Sequence, residues 1–254
     1  MTSAVETAPA TAPVVAYQSD RVTLYRGDAA ALVGTLPSVD LLATDPPYGV
    51  KFISRRNAHT ATRFGPLLGD DGALDAPALL GALTRAHLRN RRHAYVFGYR
   101  PDQLADPMQL GSTAELIWDK GAPGRGNFEM PWGPAHELIT FGARSQSAAG
   151  RANGDGKTVA RLRAGSVLRY PRPSSSTGRH PTEKPVSLMA ELIESSSRRG
   201  ETVLDPFAGS GSTLVAAVLT GRRAIGCELD TRYVEVAVSR LSKAERIADM
   251  FSAA

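Results

Sequence analysis

An α/β fold, built on a doubly wound and mostly parallel sheet with helices on both faces, is predicted by three observations. Thr202 to Glu228 reads as strand, Gly-rich turn, helix and second strand, a βαβ unit. Val39 to Thr44 is an apolar run that stops at Asp45, as a buried parallel strand does at its carboxyl end. Between and around these segments, strand-like and helix-like apolar patterns alternate.

Taken in order, residues 1–19 are rich in Ala, Thr and Pro with almost no charge, and are expected to form a disordered arm ahead of a single domain over 20–254. Arg21 to Tyr25 alternates Val22 and Leu24 with polar neighbours, a strand that Gly27-Asp28 ends; Ala29 to Leu36 suits a short helix. Residues 51–71 lack periodicity and carry Lys51, Arg55, Arg56 and Arg63, the composition of a mobile basic loop. A helix follows, with Asp75 as N-cap, Pro77 in the first turn, and Leu79, Leu80, Leu83 and His87 on one face. His93 to Gly98, Glu115 to Trp118 and Leu138 to Phe141 read as strands.

The composition changes from Ala143 to His180. Eight bases (Arg144, Arg151, Lys157, Arg161, Arg163, Arg169, Arg172 and Arg179) face one acid, Asp155, a local excess above the +5 of the entire chain. So concentrated a charge favours phosphate contact over a merely solvated linker. Pro185 then opens a helix carrying Leu188, Met189, Leu192 and Ile193 on one side and closing near Gly200. Thr202 to Leu204 is a strand, Ser212 to Thr220 a helix ended by Gly221, Ala224 to Cys227 a strand, and Thr231 to Met250 a long amphipathic helix. No internal repeat is visible.

Hydrophobic content of 42% and charged content of 22% suit a soluble globular protein with a sizeable core. No stretch approaches the roughly 20 apolar residues of a membrane span, and no signal peptide opens the chain. Cys227 is the single cysteine, which excludes an internal disulfide, fits a cytoplasmic location and reads as core.

Two motifs carry chemistry. Asp45-Pro46-Pro47-Tyr48 offers a carboxylate, a stiffened turn and an aromatic face within four residues, equipment for holding a planar amine. Asp205-Pro206-Phe207-Ala208-Gly209-Ser210-Gly211-Ser212-Thr213 resembles a cofactor loop, where glycines allow a tight turn and close approach of a ligand. Glu228, nineteen residues past Gly209 and followed by Leu229 and Asp230, stands where an acid accepts the hydroxyls of a ribose. The third glycine of a dinucleotide fingerprint is replaced by Leu214, and no Gly-Lys-Ser/Thr follows. The missing glycine and the Asp205-Pro206-Phe207 lead-in favour a nucleoside cofactor without pyrophosphate, of which S-adenosylmethionine is the common one. Just upstream, His180-Pro181-Thr182-Glu183-Lys184-Pro185 enters a helix, where Lys184 and the helix N-terminus can hold a ligand carboxylate.

These residues resemble the β-class DNA amino-methyltransferases, which methylate adenine N6 or cytosine N4. Asp45 to Tyr48 matches their catalytic motif, Asp205 to Thr213 their cofactor motif, and His180 to Pro185 the motif before it. Gly27-Asp28, Ile117 to Gly121 and His136 to Ile139 add to the likeness, which runs from about Arg21 to Leu241. The resemblance implies a Rossmann-like methyltransferase fold with permuted motif order, the catalytic motif preceding the cofactor motif. It implies S-adenosylmethionine as cofactor, held by Asp28, Ala29, Asp45, His180, Thr182, Lys184, Pro185, Asp205 to Ser212 and Glu228 to Asp230, and no metal. The partner it implies is double-stranded DNA in a prokaryotic or phage-infected cell. Arg55, Arg56, Arg63 and the eight bases of the 143–180 segment are the expected DNA contacts. Homodimers are common in the family. An acid at the first position of the catalytic motif leans toward adenine, with cytosine N4 the runner-up; serine there tends to mark cytosine enzymes. The short segment between Phe141 and His180, the natural place for target recognition, implies a short or relaxed site. An RNA or protein methyltransferase and a catalytically silent DNA-binding module are the rival readings.

Overall fold

The computed structural model describes residues 12–47, 74–121, 131–152, 164–173 and 183–252. In chain order these form β1 (Val14–Gln18), β2 (Val22–Arg26), a 3₁₀ turn (Ala29–Leu32), β3 (Val39–Thr44), α1 (Ala76–His87), β4 (Leu88–Phe97) and α2 (Pro101–Leu104). There follow β5 (Leu110–Asp119), β6 (His136–Arg144), α3 (Ala148–Ala152), β7 (Val167–Arg169), α4 (Val186–Ser196), β8 (Thr202–Asp205), α5 (Ser212–Leu219), β9 (Arg223–Glu228) and α6 (Thr231–Ser252).

The strands make one sheet in the order β1-β2-β9-β8-β3-β4-β6-β5-β7. Its centre, β2-β9-β8-β3-β4, is parallel throughout; β1 adds antiparallel at one edge, and β6 and β5 form an antiparallel hairpin on the other side, with β7 parallel to β5. α4, α5 and α6 pack on one face through residues such as Leu192, Leu214 and Leu241, against Leu41, Phe97 and Val203 of the sheet. α1 and α2 cover the other face, where Leu80, Leu104 and Met108 meet Leu42, Val96 and Leu204. The doubly wound expectation therefore holds.

β3 is buried along its length. The strand pleat sends Leu41 and Ala43 to the α4 side and Leu42 to the α1 side, and a register shift between Val39 and Leu41 accompanies the return of Val39 to the side of Leu42. Asp40 is tolerated within this apolar run because it accepts from the Thr202 N–H at 3.0 Å and pairs with Arg89 and Arg92 at the amino end of the sheet. α1 starts as its sequence dictates, the Asp75 carboxylate accepting from the Ala78 N–H at 3.0 Å.

Two expectations need correction. Residues 14–18, assigned to a disordered arm, form β1; its Val-Val-Ala-Tyr stretch gains a ladder against β2, and Tyr17 reaches across to hydrogen-bond Glu245 of α6. The helix expected over Ala29 to Leu36 is one 3₁₀ turn, capped by Asp28 and held by His87, which accepts from the Gly34 N–H at 2.9 Å. Strands β4, β5 and β6 also extend beyond their apolar cores; at the start of β4, Arg89 to Arg92 fall in a register break between Leu88, which pairs with Val39, and His93, and none of them is fully buried.

The chain leaves β3 for β4 by way of α1 on one face, and β8 for β9 by way of α5 on the other. The crevice outside the carboxyl ends of β3 and β8 is thus the topological switch point, where open α/β sheets bind ligands.

Candidate active site

Both motifs meet at that crevice. Leu41 pairs with Val203 and Leu42 with Leu204, so Asp45, just past β3, stands beside Asp205 at the end of β8. The two strand ends are tied directly: Thr44 Oγ1 donates to Asp205 Oδ1 at 2.7 Å, and the Phe207 N–H donates to the same oxygen at 3.1 Å. Burial pushes the Asp205 carboxyl up to about 6, against the opposing pull of its hydrogen bonds from Thr213, Thr44 and Phe207.

The loop after β8 turns on Gly209 (φ +51°) and Gly211 (φ +81°). A Cβ at Gly211 would come within 3.0 Å of the Ala237 Cβ on α6, so glycine is needed there for both conformation and space. The loop is pinned by the Ala208 N–H to Cys227 O at 2.8 Å and by the Gly209 N–H to Glu228 Oε2 at 2.8 Å. Glu228 Oε1 accepts from the Asp230 N–H at 2.7 Å. Its carboxylate is therefore fixed at the tip of β9, each oxygen keeping a second lone pair for a ligand hydroxyl. Burial pushes its pKa up against those two N–H bonds.

Gly27 donates to Glu228 O at 3.0 Å, which sets Asp28 and Ala29 at the same rim; Asp28 accepts from the Ala30 N–H at 2.9 Å. Leu229 is exposed, while Asp230 is buried and paired with Arg232. Pro206 and Ala208 are buried in the turn. Ser210 and Ser212 are held by Arg240 of α6, whose Nη1 donates to Ser210 O at 2.7 Å and whose Nη2 pairs with Glu183 at 3.0 Å. Arg240 and Glu183, which sequence reasoning passed over, thereby lock the helix entry at Pro185 to the glycine loop. The cradle and the acid at the strand tip fit a nucleoside cofactor.

Lys184 departs from its expected role. Its ammonium is buried and turned to two carboxylates of the protein, donating to Asp45 Oδ2 and lying 3.0 Å from Glu137 Oε2. A side chain expected to meet a ligand carboxylate instead serves the catalytic motif. Burial would pull the Lys184 pKa down, but the attraction of Asp45 and then Glu137 carries it above its ordinary value. Glu137 also pairs with Lys120, and Lys184 and Lys120 stand over the Trp118 ring at 5.8 and 4.9 Å. Glu137 and Lys120 are further site residues whose roles the sequence did not disclose; charges set directly against the apolar ends of β6 and β5 were the available signal. Pro46 is buried, and the Tyr99 hydroxyl donates to Pro47 O at 3.3 Å. Tyr48, His180 and Thr182 lie outside the described residues.

The basic segment is divided between opposite ends of the sheet. Arg169 and Arg172 are exposed at the end where Asp45 lies, close to Asp119 and Pro134. Arg144 and Arg151 are corrections: they sit at the opposite end, where Arg144 pairs with Leu110 in the ladder. Arg144 is buried and donates to the main-chain carbonyls of Leu88 and Arg85, and Arg151 donates to Ser145 O at 2.9 Å. Neither can reach a phosphate of DNA seated over Asp45 while so engaged. Arg55, Arg56, Arg63, Lys157, Arg161, Arg163 and Arg179 lie outside the described residues. Among the described residues no group of His, Cys, Asp and Glu is arranged to hold a metal, and no helix is long and apolar enough to cross a membrane.

Comparison with known proteins agrees with this geometry. The DNA methylase family N6_N4_Mtase matches residues 90–239. A protein of Escherichia coli (strain K12) named as a methylase, YubD, is 51% identical over 227 residues, covering 87% of this chain and 90% of its own length. The solved complex of M1.HpyAVI with SAM superposes with a TM-score of 0.64 at 20% identity, over 87% of this chain and 98% of that one. The cytosine-N4-specific PvuII DNA methyltransferase does so at 0.61 and 15% identity, over 92% and 94% of the two chains. The two motif-bearing strands side by side, the family match and the similarity to YubD over most of both chains agree, and the chain belongs to the N6/N4 DNA methylase family.

Proposed function

We propose that this protein transfers a methyl group from S-adenosylmethionine to the exocyclic amine of a base in double-stranded DNA, adenine N6 by preference. The observation that carries the reading is the placement of Asp45 at the switch point, beside the glycine loop and bonded into it through Thr44 and Asp205.

The chain's own residues account for the rest. An exocyclic amine is a poor nucleophile because its lone pair is delocalised into the ring. The Asp45 carboxylate and the Pro46 carbonyl accept its two N–H bonds, which returns electron density to nitrogen and stabilises the positive charge that develops there. Lys184 anchors the carboxylate at Oδ2 and fixes the direction from which it accepts. Glu228 takes the ribose hydroxyls of the cofactor, and Gly209 and Gly211 let it approach the backbone. Bound there, S-adenosylmethionine supplies a methyl group activated on sulfonium, so no covalent enzyme intermediate is required. Tyr48 stacks on the base, which leaves the duplex at a cost of about a few kcal/mol. Arg169 and Arg172 contact phosphates on the same side, and the short Gly/Ser/Arg-rich segment between Phe141 and His180 implies a short or relaxed recognition site.

The test is to offer methyl-labelled cofactor with duplex DNA, RNA and protein, and to identify the product by nucleoside mass spectrometry. N6-methyladenine in DNA is expected, lost in Asp45→Ala while cofactor affinity is retained. N4-methylcytosine would overturn the choice of base, and label in RNA or protein alone would overturn the substrate.

A further inference from the structure

Asp45, Lys184, Glu137 and Lys120 stand in a row of alternating charges. Lys184 joins Asp45 to Glu137 at the start of β6, and Glu137 joins in turn to Lys120 at the end of β5. Two cations and two anions sum to zero in a pocket walled by Phe97 and Trp118, whose rings lie 5.0 Å from Lys184 Nζ and 4.9 Å from Lys120 Nζ. The Lys184 and Lys120 side chains are only 6% and 9% exposed. In such surroundings each charge is held by its neighbours, and removal of one redistributes the others. The β5–β6 hairpin bearing Lys120 and Glu137 also pairs with β7, so it leads into the basic segment at the target side of the cleft.

We propose that Glu137 and Lys120 are positioning residues for methyl transfer, acting on Asp45 through Lys184 and linking the target-side hairpin to the catalytic carboxylate. The inference rests on Asp45 being the acceptor for the target amine. Glu137 shares the Lys184 ammonium with Asp45. With Glu137 neutral, the whole of that charge falls on Asp45, which becomes a weaker hydrogen-bond acceptor and loses its orientation. With Lys120 neutral, Glu137 pulls Lys184 off Asp45.

Glu137→Gln should slow single-turnover methylation at least ~10-fold, with the dissociation constant of the cofactor kept within about twofold. Lys184→Met should slow it at least as much. The double variant should be no more than about twofold slower than Lys184→Met, because Glu137 acts only through that lysine. Wild-type turnover in Glu137→Gln, independent losses that multiply in the double variant, or a loss confined to cofactor affinity would overturn the proposal. If Glu137→Gln does not fold, Lys120→Met serves: slowed transfer with intact cofactor affinity supports the inference, an unchanged rate refutes it.

A second readout needs no activity. In ligand-free protein, the melting shifts of Asp45→Asn and Glu137→Gln should be non-additive, and additive once Lys184 is Met. Additivity in both backgrounds would refute the coupling. Wild-type protein that methylates no DNA would instead bring down the functional reading, leaving this thermal cycle to decide the network by itself.

Discussion

Glu228 shows how one side chain can shape the loop beside it. Its carboxylate accepts from the Gly209 and Asp230 N–H groups, and the proposed function adds the cofactor's ribose hydroxyls to those partners. Glu228→Ala should weaken cofactor binding by roughly 30–150-fold, the scale of about 2–3 kcal/mol for charge-assisted hydrogen bonds, as read by calorimetry. His93 and Asp205 make a prediction about acid. His93 is buried against Ser196 and Phe141, and burial with the nearby Arg92 pushes its pKa down from 6.5 to about 4. The unfolded chain takes up that proton first, so His93 costs stability as pH falls from 6.5 to 4, by roughly 3 kcal/mol in all. Asp205, raised from 3.8 to about 6, does the opposite: the folded state binds its proton first and gains over much the same interval. His93→Gln should therefore gain stability relative to wild type as pH is lowered from 6.5 to 4, in denaturant melts across that range. A difference that stays constant with pH would refute this. Sequence marked Glu228 by its spacing from Gly209 and Asp45 by its motif, but not the pairing of Lys184 with Glu137 and Asp45, because ion pairs across 47 and 139 residues leave no local signal.

At the level of elements, Leu214 explains itself once β9 is in place. It stands where a dinucleotide fold carries a glycine for close packing of helix on strand. Here the room is made from the other side, by Gly226, where an added Cβ would lie 2.6 Å from Leu214 Cδ1. Gly226→Ala should cost about 1–3 kcal/mol, and Leu214→Ala in the same chain should recover part of that loss in a denaturant titration. Equal destabilisation with or without Leu214 would show that the clash is not the cause. β3, β8, β9 and α4 to α6 were legible because each is both periodic and buried. β1 was not: a five-residue edge strand with Val14 and Val15 exposed has the composition of a tail and gains its order from β2 and α6. The polar start of β4 was hidden for a related reason, since Arg89 to Arg92 fall in a register break, are not fully buried and carry no strand pattern.

Over the whole molecule, charge and connectivity decide how DNA can be approached. With Arg169 and Arg172 at the Asp45 end and Arg151 at the other, Arg169→Ala and Arg172→Ala should each reduce the slope of log affinity against log salt by about 1, and Arg151→Ala should leave it unchanged. Equal slopes for all three variants would mean that the basic segment binds without regard to the cleft. Removal of residues 1–18 deletes β1, bares the β2 edge and breaks the Tyr17–Glu245 bond. A loss of about 2 kcal/mol, with a melting point lower by roughly 4–8 °C and self-association in light scattering, is the expected outcome.

The same contacts bring the two ends of the domain together: Tyr17 and Ser19 share Glu245, and Arg21 meets Asp249 at 2.6 Å. A short tether could close the polypeptide into a ring there, and a new opening between β7 and α4 would put the glycine loop ahead of Asp45 in the order of translation. The sheet would be unchanged, since β3 and β8 are neighbours by hydrogen bonding and not by synthesis order. Ancestral chains cut at different seams could thus have arrived at one and the same crevice.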